Sequence, residues 1–189
     1  MWQEWSDWAH VVWSTLGHWI PGDPRGFRDH DHRIHSTGDY KNPPPPGEHA
    51  RLHRYARARC PDEVEIPEAL RPKIAEVLAR KLLALGKPPR IIAVARVHVH
   101  ALVRAGPIDV RPFIGRAKQA ASHAVRHDLP GRVWGQRCHP VRIRDADHFR
   151  DVVDYIAAHL DEGAAIWIHP DVRRASRPAS TDGRDSMDA

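Results

Sequence analysis

The apolar, largely β-branched run from Ile91 to Val103 carries one polar pattern, His98-Val99-His100. Side chains alternate between the two faces of a strand, so these two histidines project together while Val97, Val99 and Ala101 go to the other face. The run therefore predicts a sheet strand with paired imidazoles on one face. Two neighbouring neutral imidazoles can chelate a divalent cation, but a catalytic cation also needs a third protein ligand and an open position. With 15 histidines in 189 residues such a pair also arises by chance. The rest of the chain has to supply the third ligand.

A chain of this length fits one domain of ordinary size with its own core. The formal charge of +5 says little until its distribution is known. From Gly86 to Arg144 there are twelve Lys or Arg against two acids, Asp109 and Asp128, and this basic tract encloses the histidine strand. That is the arrangement expected where phosphate is drawn to a metal; the alternative is a solvated basic surface. Cys60 and Cys138 are the only cysteines, which excludes a disulfide framework and a four-cysteine zinc module. The start of the chain has Glu4, Asp7 and several Trp where a signal peptide would need a basic start and an apolar stretch. No run approaches a membrane span. These features predict a reducing, cytoplasmic setting with no membrane partner.

Along the chain, His10 to Leu16 reads as a first strand, preceded by Trp2, Trp5 and Trp8 as packing mass. From about Ile20 to Pro67 the composition turns to Gly, Pro, charge and His, including Pro43-Pro44-Pro45-Pro46-Gly47. Such a stretch excludes a continuous helix or central strand, and reads as a long insertion with a short helix near Glu48 to Arg59. Pro67 to Leu85 has the apolar spacing of an amphipathic helix and stops at Gly86. Asp109 to Arg126 reads as a second such helix, with Arg116 and Lys118 exposed. A strand follows at about Arg137 to Arg144. Asp145 is placed to cap a helix from Ala146 to Asp161, which Gly163 terminates. Ala164 to Ile168 reads as a last short strand. The chain is thus expected to form one domain over residues 1–169, with a disordered polar tail over 170–189.

On that last helix, Tyr155 and His159 lie one turn apart on the same edge, beside the apolar stripe of Phe149, Val152, Val153, Ile156 and Leu160. If the helix crosses the sheet face that bears His98 and His100, His159 completes a three-histidine site. Tyr155 would then hang its phenol one turn from the metal. A phenol with a pKa near 10 is a weak nucleophile at neutral pH, so it needs the metal's field or a base to lose its proton as it attacks.

In these residues the chain resembles the single-tyrosine transposases of the HUH nuclease superfamily, which include insertion-sequence transposases and those associated with repetitive extragenic palindromes. The resemblance is carried by Val97 to Val103, by Gly131-Arg132-Val133-Trp134-Gly135-Gln136-Arg137-Cys138-His139, and by Ile143-Arg144-Asp145 through Asp154-Tyr155-Ile156. It covers roughly residues 88 to 168 and the first strand. It implies an α+β fold, an antiparallel sheet with helices packed on it. It also implies cleavage and rejoining of single-stranded or hairpin DNA through a 5′-phosphotyrosine on Tyr155, in DNA transposition. His98, His100 and His159 would hold Mg²⁺ or Mn²⁺, although that family usually places Asn or Gln where His159 stands. Arg116 and Lys118 would contact the DNA backbone, Arg142 and Arg144 would hold the strand being cut, and a homodimer is one arrangement it allows.

Two other functions fit the same residues: a domesticated hairpin-binding protein that does not cut, and a metal-dependent phosphodiesterase using water in place of tyrosine. Trp134 and Trp167 could stack on bases, but core packing is the ordinary job of such residues. A second His-x-His, His30-Asp31-His32 with His35, lies in a Gly- and Arg-rich loop and reads as loop polarity.

Overall fold

In the computed structural model, which describes residues 4–24, 44–60 and 62–171, the run from Ile91 to Val103 is two strands and not one. A single strand of that length would extend about 40 Å, twice the common strand. The chain instead turns back at Arg96 and Val97, where the Ala95 N–H donates to the His98 carbonyl at 2.9 Å. This closes a hairpin between β2 (Pro89–Val94) and β3 (His98–Arg104), paired antiparallel. Arg96 is exposed at the turn and reaches Glu65 at 2.7 Å.

β1 (Trp8–Ser14), β4 (His139–Arg142) and β5 (Ala165–Ile168) complete an antiparallel sheet in the order β4-β1-β3-β2-β5. The fold is α+β, as the sequence predicts. The described helices are α1 (Ala50–Arg59), α2 (Arg71–Ala84), α3 (Arg111–Ala124) and α4 (Ala146–Ala158). Each falls within its expected segment, and α4 ends before Asp161, leaving His159 as its C-terminal cap residue. None is long and apolar enough to cross a membrane. The cluster His30 to His35 and the tail beyond Asp171 lie outside the described residues.

The two sheet faces are used differently. Ala9, Val11 and Trp13 of β1 and Val99, Ala101 and Val103 of β3 enter a large core with Ile74, Leu78 and Leu82 of α2 and Ile114, Ala117 and Ala121 of α3. Each large aliphatic side chain buried there contributes about 1.5–3 kcal/mol. The other face carries a smaller core in which Val152 and Ile156 of α4 pack on Ile91, Ala93 and Leu102. Phe149 of α4 sits against Trp5 and Trp8, at ring-centroid distances of 5.1 and 5.2 Å, which ties the start of the helix to β1. The parity that sends Val99 and Ala101 to the large core leaves His98 and His100 under α4.

The start of α4 is fixed as the sequence predicts: the extended Asp145 accepts a hydrogen bond from the His148 N–H at 2.8 Å. Removing that cap with Asp145→Ala is expected to cost about 1 kcal/mol. Thermal unfolding should show a midpoint lower by roughly 2–4 °C for a chain of this size.

Candidate metal centre and its tyrosine

The antiparallel register and the position of α4 bring four side chains together that are separated by up to 61 residues in sequence. His98 and His100 come from β3; His159 and Tyr155 come from the last turn of α4 and its cap. One ring nitrogen from each of the three histidines lies within 4.8 Å of the others, the spacing of ligands around a single cation. His100 and His159 are each 5 % exposed and His98 is half-buried. The Tyr155 ring meets those of His100 and His159 edge-on, with centroids 5.3 and 4.9 Å apart, and is itself 53 % exposed. A phenol so placed is open to a large substrate on one side and touches the imidazoles on the other.

Hydrogen bonding orients the candidate ligands. His159 Nδ1 lies 2.9 Å from the Tyr155 carbonyl, which can only accept, so Nδ1 carries the proton and Nε2 keeps the lone pair. His100 Nδ1 lies 3.0 Å from Nε2 of His10 on β1. His10 was not expected to belong to the site. It is opposite Leu102 in the register while His100 is opposite Val12, so the two histidines are diagonal neighbours on one face, within reach of rings. A histidine at even spacing from Val12 and Ser14 on the first strand was the signal available in the sequence; the strand pairing that gives it meaning was not.

The electrostatics keep His98, His100 and His10 neutral. Burial pushes the His100 pKa down to about 2, with further lowering from His98, His10 and His159. His98 is lowered by burial and then by His159, against an opposing pull from Glu162. His10 falls to about 4, again first by burial, then by His148, His159 and His139. Near neutral pH each therefore keeps a lone pair for a cation or a hydrogen-bond donor. Three imidazoles whose ring nitrogens converge are a donor set suited to a divalent metal ion.

The basic residues are placed differently from the sequence expectation. Lys118 is buried, not exposed: its ammonium donates to the carbonyls of Gly135 at 2.7 Å and Arg137 at 3.3 Å, and its own carbonyl accepts from Trp134 Nε1 at 2.9 Å. Arg142 pairs with Ala9 in register and so faces the large core's side of the sheet, away from Tyr155. Its guanidinium donates to the carbonyls of Ser6, Gly106 and Ile108, pinning the turn after β3 to the sheet edge.

Arg116 is exposed on α3, also on the far side from the histidines. Arg144 is exposed at the other end of α4, about 15 Å along the helix from Tyr155. Much of the rest of the tract is likewise engaged within the fold: Lys87 with the Ala105 carbonyl, Arg104 with Asp7, Arg111 with Asp109 and Arg132 with the Trp134 carbonyl. The two tryptophans pack, as is usual for such residues. Trp134 is buried against Trp13, and Trp167 donates to Glu76 at 3.0 Å beside α2.

No protein-family model matches the sequence, and no curated protein matches it. Among solved structures, the chain is similar to a REP-associated tyrosine transposase bound to a REP hairpin. That similarity has 15 % sequence identity and a TM-score of 0.46, and covers 100 % of this chain and 93 % of the other.

Proposed function

We propose that this protein is a metal-dependent DNA strand transferase that cleaves and rejoins single-stranded or hairpin DNA through Tyr155. The observation that carries this reading is the edge contact of the Tyr155 ring with His100 and His159, two of the three imidazoles whose nitrogens converge. A nucleophile beside a cation site is the pairing that phosphodiester transesterification needs.

In the reaction, the Tyr155 oxygen attacks phosphorus and releases its phenolic proton to water. A bond forms from that oxygen to phosphorus, the bond from phosphorus to the 3′-oxygen breaks, and the leaving 3′-oxygen takes up a proton from water. The products are a 5′-phosphotyrosine and a free 3′-hydroxyl. One phosphoester replaces another, so a 3′-hydroxyl can attack the phosphotyrosine and rejoin strands without ATP. The cation supplies charge withdrawal from a non-bridging phosphate oxygen when it is bound. His98, His100 and His159 would hold it. Three imidazoles favour Mn²⁺, Co²⁺, Ni²⁺ or Zn²⁺ over Mg²⁺, so activity with Mn²⁺ should exceed activity with Mg²⁺.

The exposed cations Arg116 and Arg144 are assigned to DNA backbone contacts away from the scissile phosphate. Lys118 and Arg142 are assigned to holding the fold.

The test is a 3′-end-labelled hairpin oligonucleotide with a single-stranded flank, incubated with the protein and Mn²⁺ and run on a denaturing gel. Label that migrates with the protein is expected, and EDTA should eliminate it. Oligonucleotide that is bound but never attached or cut would leave a hairpin-binding protein and overturn the enzyme reading.

A further inference from the structure

Within the metal-site reading just given, on which this inference rests, one nitrogen of His100 is still unaccounted for. An imidazole that ligates through one nitrogen carries its proton on the other, and that N–H needs an acceptor to hold the ring in place. For His159 the acceptor is the Tyr155 carbonyl, 2.9 Å away. For His100 the nitrogen turned away from Nε2 is Nδ1, and the atom facing it at 3.0 Å is His10 Nε2. The two rings are also stacked, with centroids 5.2 Å apart and planes inclined by 26°.

We infer that His10 is the positioning residue of the cation site, accepting the His100 Nδ1 proton on its Nε2 and so directing the His100 Nε2 lone pair at the cation. The reasoning is a proton count. A 3.0 Å contact between two imidazole nitrogens holds one proton, on either His10 or His100. With the proton on His10 Nε2, a neutral His100 carries its own proton on Nε2 and has no lone pair for a cation. With the proton on His100 Nδ1, His100 Nε2 is free and His10 holds its proton on Nδ1. A backbone carbonyl such as that of Tyr155 enforces one tautomer. His10 admits both, so cation binding selects the second arrangement and sets the tautomers of two rings together. His10 itself is not a ligand here, because the nitrogen it presents faces the back of His100.

The position on β1 makes this assignment specific. His10 lies between β3 and β4, with His139 and His148 near enough to bias it electrostatically. An acceptor there needs length and a lone pair; glutamine keeps both, and phenylalanine keeps the length but lacks the lone pair.

The experiment is Mn²⁺ binding followed by electron paramagnetic resonance on the full chain, with His10→Phe and His10→Gln beside the wild type. His10→Phe should weaken Mn²⁺ binding by about 10–100-fold. His10→Gln should return it to near the wild-type affinity, since its side-chain oxygen accepts the same proton. The visible spectrum of bound Co²⁺ should be the same in wild type and His10→Gln, as it must be if His10 is not a ligand. In the cation-free protein, long-range ¹H–¹⁵N correlations should find His100 in both tautomers, and addition of Zn²⁺ should leave only the Nδ1–H form.

Affinity unchanged in His10→Phe, or as weak in His10→Gln as in His10→Phe, overturns the assignment while leaving the cation site standing. Wild-type protein that binds none of these ions overturns the cation site and the assignment with it.

Discussion

Tyr155→Phe is expected to remove the covalent protein–DNA adduct altogether, a fall of at least about 10⁴-fold, while leaving the fold and Mn²⁺ affinity where they were. The substitution deletes one oxygen and keeps the ring that packs edge-on against His100 and His159. Because Tyr155 is half-exposed, loss of its hydroxyl should change stability by no more than about 0.5 kcal/mol. Its backbone carbonyl, which orients His159, is untouched. The variant therefore separates nucleophile from cation site within one pair of measurements, adduct formation and metal affinity. Persistent cleavage without an adduct would show that water is the nucleophile. In that case His98→Ala should abolish cutting, and the tyrosine would be a lining residue.

Acidification below about pH 6.5 is expected to destabilise the protein steeply, with His10 and His100 as the main cause. Unfolded histidine titrates near 6.5, whereas His10 in the fold titrates at about 4 and His100 at about 2. Above 6.5 both states are neutral and pH has no leverage through these groups. As pH falls, the unfolded chain takes up protons that the folded site refuses, so unfolding gains free energy until the folded pKa is reached. For His10 alone the loss between pH 6.5 and 4 is on the order of 3 kcal/mol. His100 adds a loss that continues toward lower pH, and His98 acts in the same direction. Urea unfolding at pH 7.5, 6, 5 and 4.5 measures this. Removing the rings with His10→Gln and His100→Gln should flatten the slope, and an unchanged slope would place the acid sensitivity elsewhere. Saturating Mn²⁺ should stabilise the wild type at pH 7.5 and lose that effect on acidification, since the cation competes with protons for the same lone pairs.

The parts of the site that were legible in the sequence obey local periodicity. A period of two puts His98 and His100 on one face, and a period of 3.6 puts Tyr155 and His159 on one helix edge; the structure keeps both. The cap at Asp145 and the stop before Gly163 are equally local. What sequence could not supply depends on non-local pairing. The turn at Arg96-Val97 has none of the Gly, Asn or Asp that usually marks a two-residue hairpin, so two strands read as one run. His10 acquires its partner only through the register of β1 against β3. Lys118 reads as an exposed helix cation, yet the carbonyls of Gly135 and Arg137 accept its protons once the loop before β4 folds over α3. A basic composition showed where the cations lie in the chain, but not that several of them are occupied in holding loops.

The way His159 is held has a mechanical consequence. Its ring is hydrogen-bonded to the carbonyl of Tyr155 itself, so Tyr155 and His159 belong to one rigid piece, while His98 and His100 belong to another. The seam between the pieces runs through the smaller core, where α4 rests on Ile91, Ala93 and Leu102. On the proposed reading, a movement that lifted the end of α4 would disarm the protein twice in a single stroke, carrying off the attacking oxygen and parting the three imidazoles, and its return would restore both together.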